Sequence, residues 1–400
     1  MKRRKRRRLK KIWVIFLFSL LVIGFVVSVF LFYKDKDVQE ISHHKNKEKI
    51  VDEESSLSLV MVGDNLIHDK IYKDAYDGKE YNFKKMYSLI KERVSKYDLA
   101  YYNQETILGG SEIGLSSYPA FNSPYEVGDA MIDAGFNLVS LATNHTLDRG
   151  ETAILNSRRY WDSKENVMAV GSYSSFEDRN KIDIRKKNGI SYTLLNYTYG
   201  TNGISVPKGK EYLVNIWPVS GSNPSSDSKY QSYKEEIKKD IERVRDQVDV
   251  LMVAMHWGIE YEYEPNSYQK DMAEFLASLG VDIIIGTHPH VIEPIEWIDN
   301  TLVIYSLGNF ISAHEVINMG NRVGLMSSLD IVKNNNKIEI KNVKNDLLYT
   351  YYRSGYHDFL VVPFSHPDIG NYLDNYQDVC VKYKDIVQKL DQEIEVVSCG

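Results

Sequence analysis

Residues 281–290 read VDIIIGTHPH. Val281 and Ile283–Ile285 are apolar and β-branched, enough for a short buried strand. Gly280, just ahead, closes the periodic segment SYQKDMAEFLASLG (267–280) as a helix. The strand then breaks into Thr287, His288, Pro289 and His290. A buried strand that follows a helix and ends in ligating side chains is the local signature of an α/β sheet. Such sheets bind ligands in the crevice beyond the carboxyl ends of their strands.

The same grammar recurs outward from this stretch. SLVMV (58–62) runs into Gly63 and Asp64, and LAYY (99–102) into Asn103 and Glu105. LVSLA (138–142) runs into Thr143, Asn144 and His145, and VLMVAM (250–255) into His256, Trp257 and Gly258. LVIYSLG (302–308) runs into Asn309. Helical spacing marks 84–98 and 232–248. Residues 181–197 read as a hairpin with an Asn-Gly turn, and 327–343 as a second hairpin turning at an Asn run. Buried strands alternating with helices indicate α/β layers, and the hairpins add antiparallel pairs to a mixed sheet. The last thirty or so residues carry one weak helical pattern, around Lys382–Leu390, and little else.

The residues gathered at the strand ends are Asp64, Glu105, Asn144, His145, His256, His288 and His290. Imidazole mixed with carboxylate oxygen suits zinc, manganese or iron and is too rich in nitrogen for calcium. Seven candidates exceed the needs of one ion, so a pair of divalent ions is expected, able to activate water and stabilise both reacting oxygens. Each member alone has an ordinary explanation. A histidine after a strand is usually hydrogen-bonded structure, and Asp after Gly is usually a turn. The joint pattern decides, because four of ten histidines collect at strand ends with two acids. His68, one helical turn after Asp64, and His314 stand near the crevice motifs, whereas His357, His366, His43 and His44 read as structural or solvated.

The amino terminus has a different character. Lys2–Lys11 hold nine basic residues and no acid, and Ile12–Phe32 is a 21-residue run without charge. At ~1.5 Å per residue the run spans ~31 Å, the thickness of a bilayer core. A cleaved signal peptide would have a shorter apolar core and a small-residue cleavage site. Residues 1–33 are therefore expected to form a basic flank and a single transmembrane helix. The positive flank places the N-terminus in the cytoplasm and the bulk outside the cell membrane. Residues 34–56 are polar and charged and read as a stalk. Setting the nine basic residues aside leaves 40 basic against 55 acidic residues, a charge of −15. So acidic a body excludes nucleic acid as a partner and confines any polyanion to a metal crevice. Two cysteines, Cys380 and Cys399, exclude a disulfide-stapled scaffold and a cysteine-ligated zinc domain. An exported location permits a bond between them, which their spacing alone does not establish.

MVGDNLIHD, LATNHTLDRG, MHWGIEYEYEPN, IIIGTHPHVIEPIEW and IYSLGNFI resemble, in order, the successive motifs of the poly-gamma-glutamate capsule biosynthesis family CapA, also called PgsA. The resemblance runs from about Leu57 to about Asp330. It implies a layered α/β/β/α sandwich of the metallo-dependent phosphatase type, occupying 57–345 and followed by an extension over 346–400. It further implies Asp64, Glu105, Asn144, His256, His288 and His290 as metal ligands. His145 would be the acid facing the substrate, with Asp148 orienting its imidazole, and Asn309 would line the substrate site. The implied role is synthesis, export or attachment of an anionic polymer, alongside membrane synthase or export subunits, by metal-dependent hydrolysis or transfer. Two other roles stay open: a cell-envelope metallophosphoesterase unrelated to capsule, and a non-catalytic subunit of a synthase complex. Three positions depart from the family pattern. His68 stands where Arg is common, Thr287 where His is frequent, and Ser312 where an acid is usual. These departures weaken transfer of substrate preference more than transfer of the metal site.

Overall fold

The structure is a computed structural model that describes residues 13, 14, 16–31, 55–219, 223–316, 318–335 and 337–399. The chain divides into two compact units, 1–53 and 54–400. In the first, residues 16–31 are helical. The basic flank, both ends of the expected anchor and almost all of the stalk, with His43 and His44, lie outside the described residues. Among the described residues, no helix is long and apolar enough to cross a membrane.

Among the described residues the second unit has fifteen strands. In chain order they are β1 (Ser55–Asn65), β2 (Leu99–Asn103), β3 (Leu138–Ser140), β4 (Met168–Val170), β5 (Arg185–Lys187), β6 (Ile190–Thr198), β7 (Val250–His256) and β8 (Ile283–Thr287). They continue with β9 (Ile292–Ile298), β10 (Thr301–Leu307), β11 (Asn309–Ile311), β12 (Val323–Asn334), β13 (Lys337–Arg353), β14 (His357–Pro363) and β15 (Glu395–Val396). Among the described residues one sheet has the order β14-β13-β12-β1-β2-β3-β4, with β11 beside β1 and β15 beside β13. The other has the order β5-β6-β7-β8-β10-β9. The strands β1 to β4 and β6-β7-β8-β10 run parallel; the first sheet is antiparallel from β1 through β12 and β13 to its β14 edge, and the second ends in antiparallel pairs at both edges.

Strand alternation assigns the layers. Leu57, Leu59 and Met61 of β1 point into a core shared with Val250, Met252 and Ala254 of β7 and Ile283 and Ile285 of β8. Val60 and Val62 point the other way, onto Ile71, Met86, Ile90 and Met131 of the helices outside the first sheet. Leu251 and Val253 of β7 face Ile237, Ile241, Met272 and Leu276 of the helices outside the second. Strands buried on both faces read as continuous apolar runs rather than alternating ones, which is why they were legible. The helix Ser267–Ser278 starts with a capping box between Asn266 and Gln269 and ends ahead of Gly280 at φ +77°. The first hairpin turns on Asn188 and Gly189 with φ of +49° and +83°, as a type I′ turn requires.

Two boundaries differ from expectation. Ser55 and Ser56, placed in the stalk by composition, pair with Lys333 and Val332 of β12, because a serine costs a strand little when its backbone is paired. β13 runs through positions 345 and 346, where the extension was expected to begin. The C-terminal residues build on that strand: β14 and β15 both pair with it. The helix Tyr376–Val387 buries Val379, Cys380, Tyr383 and Val387 in the shared core, and Cys380 is disulfide-bonded to Cys399.

One close approach fixes the centre of the molecule. β11 leaves β10 at Gly308 and lies parallel to β1, setting Asn309 opposite Asp64. A Cβ on Gly63 would fall 1.8 Å from the carbonyl oxygen of Gly308. Gly63→Ala must force these backbones apart and is expected to destabilise the protein by about 1–3 kcal/mol, the usual cost of overpacking. Thermal melting checks this, and an unchanged melting temperature would show that the crossing is loose.

Candidate metal centre

The parallel strands of both sheets deliver their carboxyl ends to one place. Asp64 is in register with Asn103 of β2, and His256 with Thr287 of β8 and Thr198 of β6. Donor atoms of Glu105, His288 and His290 lie within 4.8 Å of one another. His256 Nε2 is 3.9 Å and His290 Nε2 3.6 Å from Glu105 Oε1. Asn144 Oδ1 lies 2.9 Å from His256 Nε2. Asp64 Oδ2 is 3.4 Å from His290 Nδ1 and accepts the backbone N–H of His288 at 3.2 Å. All six expected ligands are thus linked edge to edge, and all are buried.

His288 and His290 hold left-handed backbone conformations, φ +99° and +61°. For residues with a Cβ this is strained, and such strain persists where the surroundings impose a side-chain direction. The segment from His288 to His290 is not extended. The kinked backbone brings both imidazoles to Glu105.

The donor set fits a divalent cation. Both carboxylate oxygens of Glu105 and Nδ1 of His288 are buried without a hydrogen-bond partner among the described residues. A buried carboxylate in that state is costly unless a cation meets it. Burial and the neighbouring Asp64 charge push the Glu105 carboxyl well above its ordinary range, while burial pushes His256 and His288 well below theirs. Imidazoles kept neutral keep the lone pair that a metal needs.

Neighbouring groups orient this set. Asn103 donates to Asp64 Oδ1 at 2.8 Å and accepts from Ser140 Oγ at 2.6 Å. The Thr287 hydroxyl lies 3.0 Å from His256 Nδ1. Asn309 was expected to line the substrate site, yet its side chain is engaged by protein. Its Nδ2 donates to the Asn321 carbonyl at 3.0 Å, which turns its Oδ1 toward His290 Nδ1 at 3.1 Å. His290 therefore presents Nε2 to Glu105.

His145 sits beside the cluster. Its Nδ1 lies 2.7 Å from Asp148 Oδ2, and its ring meets Phe121 edge-on at 4.7 Å. Asp148 also accepts the backbone N–H of Phe121 at 2.7 Å, which fixes the carboxylate. With Nδ1 bound to Asp148, Nε2 is left for chemistry. His145 and His290 line a cleft of about 480 Å³, together with His68, His314, Tyr261 and Glu260.

Sequence reasoning passed over several of these neighbours. Asn202 lies 3.2 Å from both Asn144 Nδ2 and His145 Nδ1. It follows β6, whose sequence reads as half of a hairpin and so gives no sign that its carboxyl end reaches the centre. Tyr199, from the same loop, packs on His288 at 4.6 Å. His68 and His314 both reach the cleft, whereas His357 and His366 do not line it.

The charge balance yields a pH dependence. Burial opposes a proton on His290, but the carboxylates of Glu105 and Asp64 outweigh it and raise this group to about 9. Without metal, that proton contributes stability that is complete below the ordinary 6.5 and lost as pH rises through about 9. A cation competes with the same proton, so metal affinity is expected to rise with pH up to about 9. Calorimetric titration with Mn(II) across that range checks this, and a flat or falling affinity would remove His290 from the ligand set.

The chain is similar to several known proteins. The family model for the bacterial capsule synthesis protein PGA_cap matches residues 58–314. The PGA biosynthesis protein CapA of Bacillus subtilis (strain 168) is 32% identical over 181 residues, 45% of this chain and 43% of that protein. The capsule biosynthesis protein CapA of Bacillus anthracis is 27% identical over 270 residues, 65% of this chain and 60% of that protein. The chain spans about half the length of the curated relatives it matches. Among solved structures, a novel phosphatase from Mycoplasma pneumoniae overlaps with TM-score 0.45 at 13% identity, covering 74% of this chain and 94% of its own. A purple acid phosphatase from yellow lupin seeds overlaps with TM-score 0.36 at 13% identity, covering 77% and 54%.

Proposed function

Because the chain belongs to the bacterial capsule synthesis protein family PGA_cap, we propose that it serves synthesis, export or attachment of an anionic surface polymer of the poly-gamma-glutamate type. It does so as a metal-dependent hydrolase or transferase, anchored in the cell membrane by residues 1–33 with its bulk outside. The observation that carries the proposal is the buried Glu105 carboxylate, unpartnered among the described residues and facing His288 and His290.

Asp64, Glu105, Asn144, His256, His288 and His290 hold the metal, taken as two ions of manganese, zinc or iron. When bound, the ions supply polarisation of the reacting phosphoryl or amide centre. The chain's own residues do the rest. Asp148 holds His145 in the tautomer with the proton on Nδ1, and the protonated ring gives its Nε2 proton to the leaving group. Asn309 and Asn103 fix the orientation of His290 and Asp64. The strand ends and Phe121 screen the centre from bulk water, leaving the cleft as the way in. Partner synthase or export subunits approach from the membrane.

The deciding experiment is elemental analysis of the purified protein, paired with hydrolysis assays on phosphoester and gamma-glutamyl substrates before and after chelation. Expected are a bound divalent transition metal and an activity that chelation abolishes. A protein that neither retains nor binds manganese, zinc or iron would overturn the reading.

A further inference from the structure

The cleft beside His145 and His290 has an apolar mouth. Val316, 75% exposed, and Tyr118, 73% exposed, are the two most exposed large apolar side chains of the second unit among the described residues, and both line this cleft. Tyr261, 44% exposed, lines it as well. Single apolar side chains on a surface need no account, but several around one cavity mark a binding surface. His145 lines the same cleft and is 5% exposed, and its Nε2 makes no hydrogen bond among the described residues.

The charge of the mouth is negative. Its lining holds Asp69, Glu260 and Glu315 against Lys70. Lys73 binds Asp69 at 2.5 Å, and the Lys70 ammonium sits 4.0 Å from the centre of the Tyr356 ring. Glu260 and Glu315 have no ion-pair partner among the described residues. Glu260 is held beside the centre by its neighbour. Tyr261 keeps a left-handed backbone, φ +68°, and its N–H donates to the Pro289 carbonyl at 2.7 Å. That bond ties the turn carrying Glu260 to the segment between His288 and His290. Burial, and then the Glu260 charge, push the phenols of Tyr199 and Tyr261 up to about 12, so the carboxylate stands close to both.

Apolar walls and unpaired acids together select a ligand that is aliphatic along its length and cationic at its end. A chain of carboxylates or phosphates meets like charge at the rim. A neutral apolar chain leaves both acids unpaired. A primary alkylammonium group answers both features. Its methylenes can lie along Tyr118 and Val316, as lysine stems lie along apolar surface, and its N–H groups can meet the carboxylates. Tyrosine faces add attraction for the cation itself.

We propose that this cleft binds a primary alkylammonium group, of the kind a lysine side chain carries, with Glu260 and Glu315 as its counter-ions and Tyr118, Val316 and Tyr261 as its walls. The proposal rests on the reading above that the cleft is the way in to the metal centre, and it names an amine, rather than the anionic polymer, as the group taken up at the mouth.

The test uses the purified full chain, metal-free and loaded with Zn(II), and two probes of matched shape, the Nα-acetyl amides of lysine and norleucine. NMR titration gives their dissociation constants. In the parent protein the lysine probe is expected to bind at least about fivefold more tightly than the norleucine probe. Glu260→Gln should weaken the lysine probe about fivefold, the scale of one exposed ion pair, and leave the norleucine probe unchanged. Glu260→Asp should recover part of that loss. Tyr118→Ala should weaken the lysine probe about threefold. Zn(II) content should be unchanged in all three variants. Equal binding of the two probes to the parent, or an unweakened lysine probe in Glu260→Gln, refutes the amine site and leaves the proposed function standing. Loss of Zn(II) from Glu260→Gln would make that carboxylate a metal ligand and overturn the role given to it here. A parent that neither retains nor binds a transition metal removes the proposed function, and the probe comparison on the metal-free chain then decides the amine site by itself.

Discussion

His288→Ala is expected to abolish both metal retention and turnover. His288 supplies an imidazole that faces Glu105 and His290, and its Nδ1 is buried without a hydrogen-bond partner among the described residues. Losing even a residue that merely orients a ligand typically costs about 10–100-fold in metal affinity. Losing a ligand should cost at least that. The variant also leaves the Glu105 carboxylate less compensated, so its metal-free form should be no more stable than the metal-free parent. Metal content after dialysis, read beside thermal melting with and without Mn(II), checks both parts. Full metal occupancy in a folded His288→Ala protein would take this residue out of the centre.

His145→Ala should behave in the opposite way. Its ring is tied through Nδ1 to Asp148 at 2.7 Å and borders the cleft, and the ligand contacts described above do not run through it. General acid–base catalysis is worth about 10²- to 10⁴-fold. The variant is expected to lose activity on that scale while keeping its metal. Asp148→Asn should give a smaller loss, because the imidazole stays but its tautomer is no longer enforced. Rates and metal content measured side by side for His145→Ala and His288→Ala separate the two roles. A fully active His145→Ala protein would favour a non-catalytic, scaffolding role for the metal centre.

The parts of this protein that could be read from sequence are those where burial is complete. Both faces of β1, β7, β8 and β10 are covered, so each is a continuous apolar run, and the polar residues that end it stand out sharply. Asp64, Glu105, Asn144, His256, His288 and His290 were found this way. What stayed hidden depends on tertiary geometry. Asn309 reads as another strand-end polar group, and only its partners show that it orients His290 and His314. The left-handed turn at His288 and His290 has no signal in THPH, because histidine gives no hint of positive φ. The C-terminal residues were hard to read because β14 and the last helix are only half-covered, and the short strand β15 pairs with β13 far back along the chain.

The bond between Cys380 and Cys399 joins a core helix to the residues just after β15. Because a closed loop of this size removes about 3 kcal/mol of unfolded-chain freedom, the last stretch of the core is completed only where thiols oxidise. Reducing compartments keep such pairs open. The covalent state of one cysteine pair is therefore a record of where the molecule has matured. Alkylation of free thiols before and after reduction, followed by mass shift, turns that record into an assay of transit that needs no activity measurement. It also sets a rule for production: material made in a reducing cytosol should lack the bond and be the less stable form of the same fold.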